Sequence, residues 1–241
     1  MARERFLATC AWGVHLFTAS GAVAGLFALD RIAANDFRAA FYLMAAAILI
    51  DSADGTFARL LRVRKRIPVF DGGTLDNIVD YLNYVTVPLY LMLRAAILPR
   101  TAIGFGAASL AMLASAYGFS RVDAKTDDHY FRGFPSYWNV VALYLFCLGY
   151  NPLANAAIIA ILAVMVFVPI KYIYPSRTEL MRRTTLAFSG IWAAATLALI
   201  PAAPAPNPIL LYTSLAFVVY YFLMSFALHA HPQRRAARRL T

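Results

Sequence analysis

The chain has 241 residues, 61% of them hydrophobic and 14% charged, with a mean hydropathy of +0.63 and a formal charge of +10. A soluble domain of this length carries fewer apolar and more charged residues, so the composition points to an all-α integral membrane protein. Cys10 and Cys147 lie far apart without CxxC-type spacing, which excludes a cysteine metal site and gives no disulfide framework. The positive charge calls for no nucleic acid, because basic loops beside a membrane attract anionic headgroups.

The first apolar run, 7–29, is long enough to span and lacks a clear small-residue cleavage site, so it reads as a span and not as a signal peptide. Seven more runs follow at 37–60, 74–98, 101–120, 134–150, 152–173, 183–202 and 207–229, each near the ~20 residues a helix needs to cross. Asn151 and Pro152 alone separate the fifth run from the sixth, which demands a tight hairpin there. Eight spans place both termini on one side of the membrane. Of the 22 Lys and Arg residues, 18 then fall on that side: at the N-terminus, in 59–66, in 121–132, in 171–183 and in the tail of 234–239. Arg31, Arg38, Arg94 and Arg100 fall on the other side. The positive-inside rule makes the first side cytoplasmic. With no internal repeat, residues 1–241 read as one transmembrane domain.

Two stretches are polar enough to carry chemistry, 51–80 and 121–139, and both fall on the cytoplasmic side. Charges at membrane depth are costly and usually functional. Asp51 and Asp54 are three apart at the end of the second span, so they share a helix face. Gly55 and Ala58 continue that side with small side chains, and Arg59 closes the turn. Asp76 and Asp80, four apart at the start of the third span, also share a face. Helices joined by one short loop are antiparallel neighbours, so four carboxylates can converge at the cytoplasmic rim. Unpartnered, they would repel and raise one another's pKa. Two divalent cations balance the charge, and oxygen-only ligands suit Mg²⁺ or Mn²⁺ better than Zn²⁺. Two such ions about 3.5–4 Å apart can clamp a phosphoryl group during in-line displacement, which favours a phosphate substrate. The competing reading is a structural ion-pair network with Arg59, Arg62, Arg64 and Arg66. A cation-coupled transporter would want its acids nearer mid-membrane.

The pattern D-x2-D-G-x2-A-R followed by G-x3-D-x3-D resembles the signature of the CDP-alcohol phosphotransferases. It stands here as Asp51, Asp54, Gly55, Ala58, Arg59, Gly72, Asp76 and Asp80, with every signature position present. Between Arg59 and Gly72 lie twelve residues, 60–71, where most members of the family have about eight. The longer spacing is similar to the bacterial phosphatidylcholine synthase branch, as are the total length and the eight spans. The resemblance covers roughly residues 40–140. It implies that Asp51, Asp54 and Asp76 are metal ligands and that Asp80 is both a ligand and the general base. It implies that Gly55 and Arg59 touch the CDP part of the lipid, and that Ala58 and Gly72 serve close packing at that CDP-lipid site. It further implies CDP-diacylglycerol as donor, two Mn²⁺ or Mg²⁺ ions, and a homodimer.

The acceptor alcohol is read from the aromatic supply. Choline carries a quaternary ammonium, usually held over aromatic faces. Tyr84 lies one turn beyond Asp80 and Tyr81 is adjacent to it. Tyr117 lies at the end of the fourth span, and Tyr137 and Trp138 lie within the second polar stretch, where Asp123, Asp127 and Asp128 could add negative potential. This set suits choline better than serine, inositol phosphate or glycerol phosphate. Each of these aromatics taken singly also fits a membrane-interface belt residue. Gly133-Phe134-Pro135 is either a wall of the alcohol pocket or a helix-start turn, and His15 reads as structural. The preponderance of Arg over Lys, 19 against 3, is compatible with a GC-rich bacterium and hence an inner membrane.

Overall fold

In the computed structural model, which describes residues 2–123, 130–173 and 182–230, the chain is helical almost throughout. The tail of 234–239 and the acids Asp127 and Asp128 lie outside the described residues. Contacts divide the chain into two compact units, Met1–Ala96 with Trp138–Leu143, and Ile97–Tyr137 with Tyr144–Thr241.

The first unit is built on α1 (Ala2–Ala33) and α2 (Phe37–Leu60), which pack along each other as a hairpin. Asp36 closes the turn by capping α2, its carboxylate accepting from Ala39 N at 3.1 Å. The buried face of α1 runs through Ala11, Val14, His15, Thr18, Gly21, Gly25, Ala28 and Ile32, at the three- and four-residue spacing of one helix side. After α2 comes the four-residue α3 (Val63–Arg66). It stops at Ile67, which Pro68 forces out of the helical region, with φ −127° and ψ 69°. Val63 and Ile67 bury themselves against Ala11 and Val14 of α1, with Ala58 and Leu61 packed alongside. The longer connection between Arg59 and Gly72 is therefore anchored through its own apolar residues.

Asp71 starts α4 (Gly72–Asp80), its carboxylate accepting from Gly73 N at 2.9 Å and Thr74 N at 3.3 Å. Helix continues through a π-helical turn (Tyr81–Thr86) into α5 (Val87–Arg94). Pro88 supplies a cause for the widened turn: it lacks an N–H, and its ring presses on the carbonyl four residues back, at Tyr84. Val87 N accordingly donates to Leu82 O, five residues back.

The second unit holds α6 (Ala102–Ser120), α8 (Pro152–Met165), α9 (Arg182–Leu199), which runs on into a 3₁₀ turn (Ile200–Ala202), and α10 (Pro208–Ala230). The helix α7 (Trp138–Leu148) contributes to both units. The tight connection expected at Asn151–Pro152 is present. Gly149 ends α7 at φ +60°, and the Asn151 side chain caps α8 by accepting from Leu153 N at 2.8 Å.

Two expected spans are shorter as helices than their apolar runs. The run 134–150 becomes helical only at Trp138, because Gly133 and Ser136 take positive φ values of +90° and +58°. The run 152–173 ends as helix at Met165. Its last residues form β2 (Lys171–Ile173), paired antiparallel with β1 (Tyr130–Arg132). This small ribbon is the departure from an all-helical chain among the described residues. Gly133 sits at its end, donating to Ile170 O, and a Cβ there would lie 2.1 Å from Val166 O. The Gly133-Phe134-Pro135 element is thus a turn that ties the ribbon to the end of α8, where only glycine fits.

Among the described residues, four helices are long and apolar enough to cross a membrane: Ala2–Ala33, Phe37–Leu60, Ala102–Ser120 and Pro208–Phe226. Trp138–Leu148, Pro152–Met165 and Ala187–Ala202 are shorter apolar helices.

Candidate active site

In the first unit, α2 and α4 turn their acidic faces toward one small cavity open to solvent. Asp51 and Asp54 reach it from α2, and Asp76 and Asp80 from α4. Ala47, Ile50 and Val79 form its apolar wall. Thr18 of α1 and Asn83 and Tyr84 of the π-helical turn complete the lining.

One carboxylate oxygen each from Asp51, Asp76 and Asp80 lies within 4.8 Å of the other two. All three side chains are half-buried, so solvent screens their mutual repulsion only partly. The donor set is oxygen alone, from acids on two helices, and this fits a hard divalent cation. Asp54 is more deeply placed. It is 6% exposed, and its Oδ2 accepts from the Thr18 hydroxyl at 2.7 Å. Asp51 Oδ2 accepts from the Tyr84 hydroxyl at 2.7 Å. The structure thus brings all four aspartates to one cavity and three of them into a group that could share an ion.

The remaining signature residues frame this cluster. A Cβ on Gly55 would lie 3.3 Å from Arg59 Nη1, and the exposed Arg59 side chain donates to Thr56 Oγ1 at 3.0 Å. Ala58 packs on the apolar cluster that anchors α3. At Gly72 a Cβ would fall 2.8 Å from His15 Cε1, so the glycine allows α4 to start against the buried imidazole. That ring also packs on Phe70, with centroids 4.5 Å apart.

The residues considered for choline are dispersed over both units. Tyr84 lines the carboxylate cavity, and Tyr81 is half-buried beside Asp80. Trp138 is fully buried in the first unit. Tyr117, Asp123 and Tyr137 belong to the second. There the Arg121 guanidinium lies 5.5 Å from the Tyr117 ring centroid. Asp123 is bridged by Arg121 and Arg132, each at 2.7 Å, and Arg121 above all holds its carboxyl below the usual range. Both thus have a cation of their own. Sequence reasoning did not single out Thr18 or Asn83. A lone Thr or Asn inside an apolar run carries no motif, and only the packing of α1 on α2 and on the π-helical turn reveals them.

The chain is 36% identical to the phosphatidylcholine synthase of Legionella pneumophila over 94% of its own length and 91% of that protein's. It is 40% identical to that of Legionella bozemanae, with 84% and 96% covered, and 36% identical to that of Pseudomonas aeruginosa, with 88% of each covered. The chain belongs to the phosphatidylcholine synthase family. No protein-family model matches it. Its kinship with bacterial phosphatidylcholine synthases reaches well beyond the aspartate signature, through most of both units.

Proposed function

We propose that the chain catalyses phosphatidyl transfer from CDP-diacylglycerol to choline, giving phosphatidylcholine and CMP, as a member of the CDP-alcohol phosphotransferases. The observation that carries this reading is the approach of Asp51, Asp76 and Asp80 to within 4.8 Å in a member of this family. Asp51, Asp54, Asp76 and Asp80 hold two divalent cations, Mn²⁺ or Mg²⁺. When bound, these neutralise the diphosphate and the charge developing on departing CMP. Gly55 and Arg59 contact the CDP moiety, with Ala58 and Gly72 giving it close approach. Asp80 accepts the proton of the choline hydroxyl while that oxygen bonds to the lipid-side phosphorus and the bond from phosphorus to CMP breaks. A carboxylate is a weak base for an alcohol, so the proton moves late. Tyr84 and Tyr81, nearest Asp80 in sequence, present aromatic faces to the quaternary ammonium. Tyr117, Asp123, Tyr137 and Trp138 are the further members of the choline set.

The reading extends to the membrane. The basic asymmetry of 18 against 4 supports eight crossings of a bacterial inner membrane, with both termini and the carboxylates on the cytoplasmic side. Family resemblance supports a homodimer. The test is to supply membranes containing the protein with CDP-diacylglycerol, Mn²⁺ and labelled choline, serine, inositol phosphate or glycerol phosphate in turn. Choline is the expected label in the lipid product, and turnover of serine without choline refutes the assignment.

A further inference from the structure

We propose that Thr18 of α1 is a positioning residue for the cation site, holding Asp54 at the cavity wall. This rests on reading the aspartates as cation ligands. Thr18 lies outside the signature and more than thirty residues before it, yet its side chain and that of Asp54 line the same cavity. Thr18 is 7% exposed, and its hydroxyl donates to Asp54 Oδ2 at 2.7 Å. The same hydroxyl is 3.3 Å from Val14 O, the carbonyl one turn back on its own helix. A threonine inside a helix commonly spends its proton on that carbonyl. Here the shorter contact is to a carboxylate on another helix, and the hydroxyl donates its hydrogen bond there.

The position of α1 makes this contact a fixed one. Gly21 and Gly25 follow Thr18 on the same helix face, about one and two turns on. Asn83 Nδ2 donates to Gly21 O at 2.9 Å. A Cβ on Gly25 would come 2.8 Å from Asn83 Oδ1. With α1 held this closely to the π-helical turn, sliding it along its axis would break the bond at Gly21. The β-branched Thr18 side chain has few rotamers open to it in a helix. Its hydroxyl therefore meets Asp54 at a set distance. A ligand oriented before the cation arrives loses less freedom on binding, and partners of this kind typically contribute 10–100-fold in metal affinity.

The test uses the full chain purified in detergent, with Mn²⁺ titrated alone and free Mn²⁺ read by electron paramagnetic resonance, without lipid or choline. Thr18→Val keeps the shape and removes the donor, and it should weaken Mn²⁺ binding about 10–100-fold. Thr18→Ser keeps the donor and should bind close to the wild type. Unchanged affinity in Thr18→Val, or a loss in Thr18→Ser as large as in Thr18→Val, overturns the inference. If Thr18→Val does not yield folded protein, Thr18→Cys, a weak donor, takes its place and is judged by the same two results. A wild-type chain that binds no Mn²⁺ overturns the cation reading itself. A wild type that binds, beside a Thr18→Val variant that binds equally, overturns only the role of Thr18.

Discussion

Gly21 offers a perturbation whose size can be worked from the structure. A Cβ there would sit 2.8 Å from Val79 Cγ1, short of the 3.4 Å at which ordinary van der Waals contact begins. Val79 is 8% exposed, lines the carboxylate cavity, and cannot swing aside cheaply because a helical valine has one strongly preferred rotamer. Gly21→Ala therefore either pushes α1 from α4 or drives Val79 off its rotamer, at a cost of about 1–3 kcal/mol. Val79→Ala alone leaves a small void, costing about 2–3 kcal/mol, from two carbons at ~0.8 kcal/mol each plus the cavity. In the double variant the new methyl group occupies the space that Val79 vacates. The pair should then cost less than the sum of the singles by at least about 1 kcal/mol. The assay is equilibrium unfolding of the four proteins in one detergent. Additivity within about 0.5 kcal/mol would refute the claim that this contact sets how closely α1 approaches the acidic helix.

Tyr84 separates two roles by substitution. Tyr84→Phe removes the hydroxyl that reaches Asp51 but keeps the ring, so it should weaken Mn²⁺ binding about tenfold and leave the choline KM unchanged. Tyr84→Ala should raise the choline KM as well, and steady-state kinetics with varied choline distinguishes the two. Asp71 gives a pH signature. The Thr74 hydroxyl first, then the Thr74 and Gly73 amides, hold its carboxyl below the ordinary 3.8. A depressed folded value means that the stabilisation is complete above the unfolded pKa and is lost as pH falls through the folded one. Asp71→Asn does not titrate, so the difference in melting temperature between wild type and variant should shrink on acidification. A difference constant through the carboxylate range contradicts the capping role.

The aspartate cluster was legible because its chemistry is written in short spacings. Three and four residues on a helix mean one face, and the two faces indeed meet at one cavity. The tight connection at Asn151–Pro152 was legible for the same reason, since turn and cap residues act locally. Thr18 and Asn83 act across helix–helix contacts, at 36 and 62 residues of separation from their partners, where no local pattern reports them. The ribbon of Tyr130–Arg132 with Lys171–Ile173 was hidden because Lys171–Ile173 continues an apolar run that reads equally well as helix. The π-helical turn leaves only Pro88 as a trace, and proline marks a disturbance without naming its form.

The most direct measurement compares Asp80→Asn with Asp51→Asn in purified protein, following choline-dependent CMP release and the binding of CDP-diacylglycerol side by side. The account predicts that Asp80→Asn abolishes CMP release while sparing lipid binding more than Asp51→Asn does. Sustained CMP release by Asp80→Asn, or an equal loss of lipid binding in both, would contradict it.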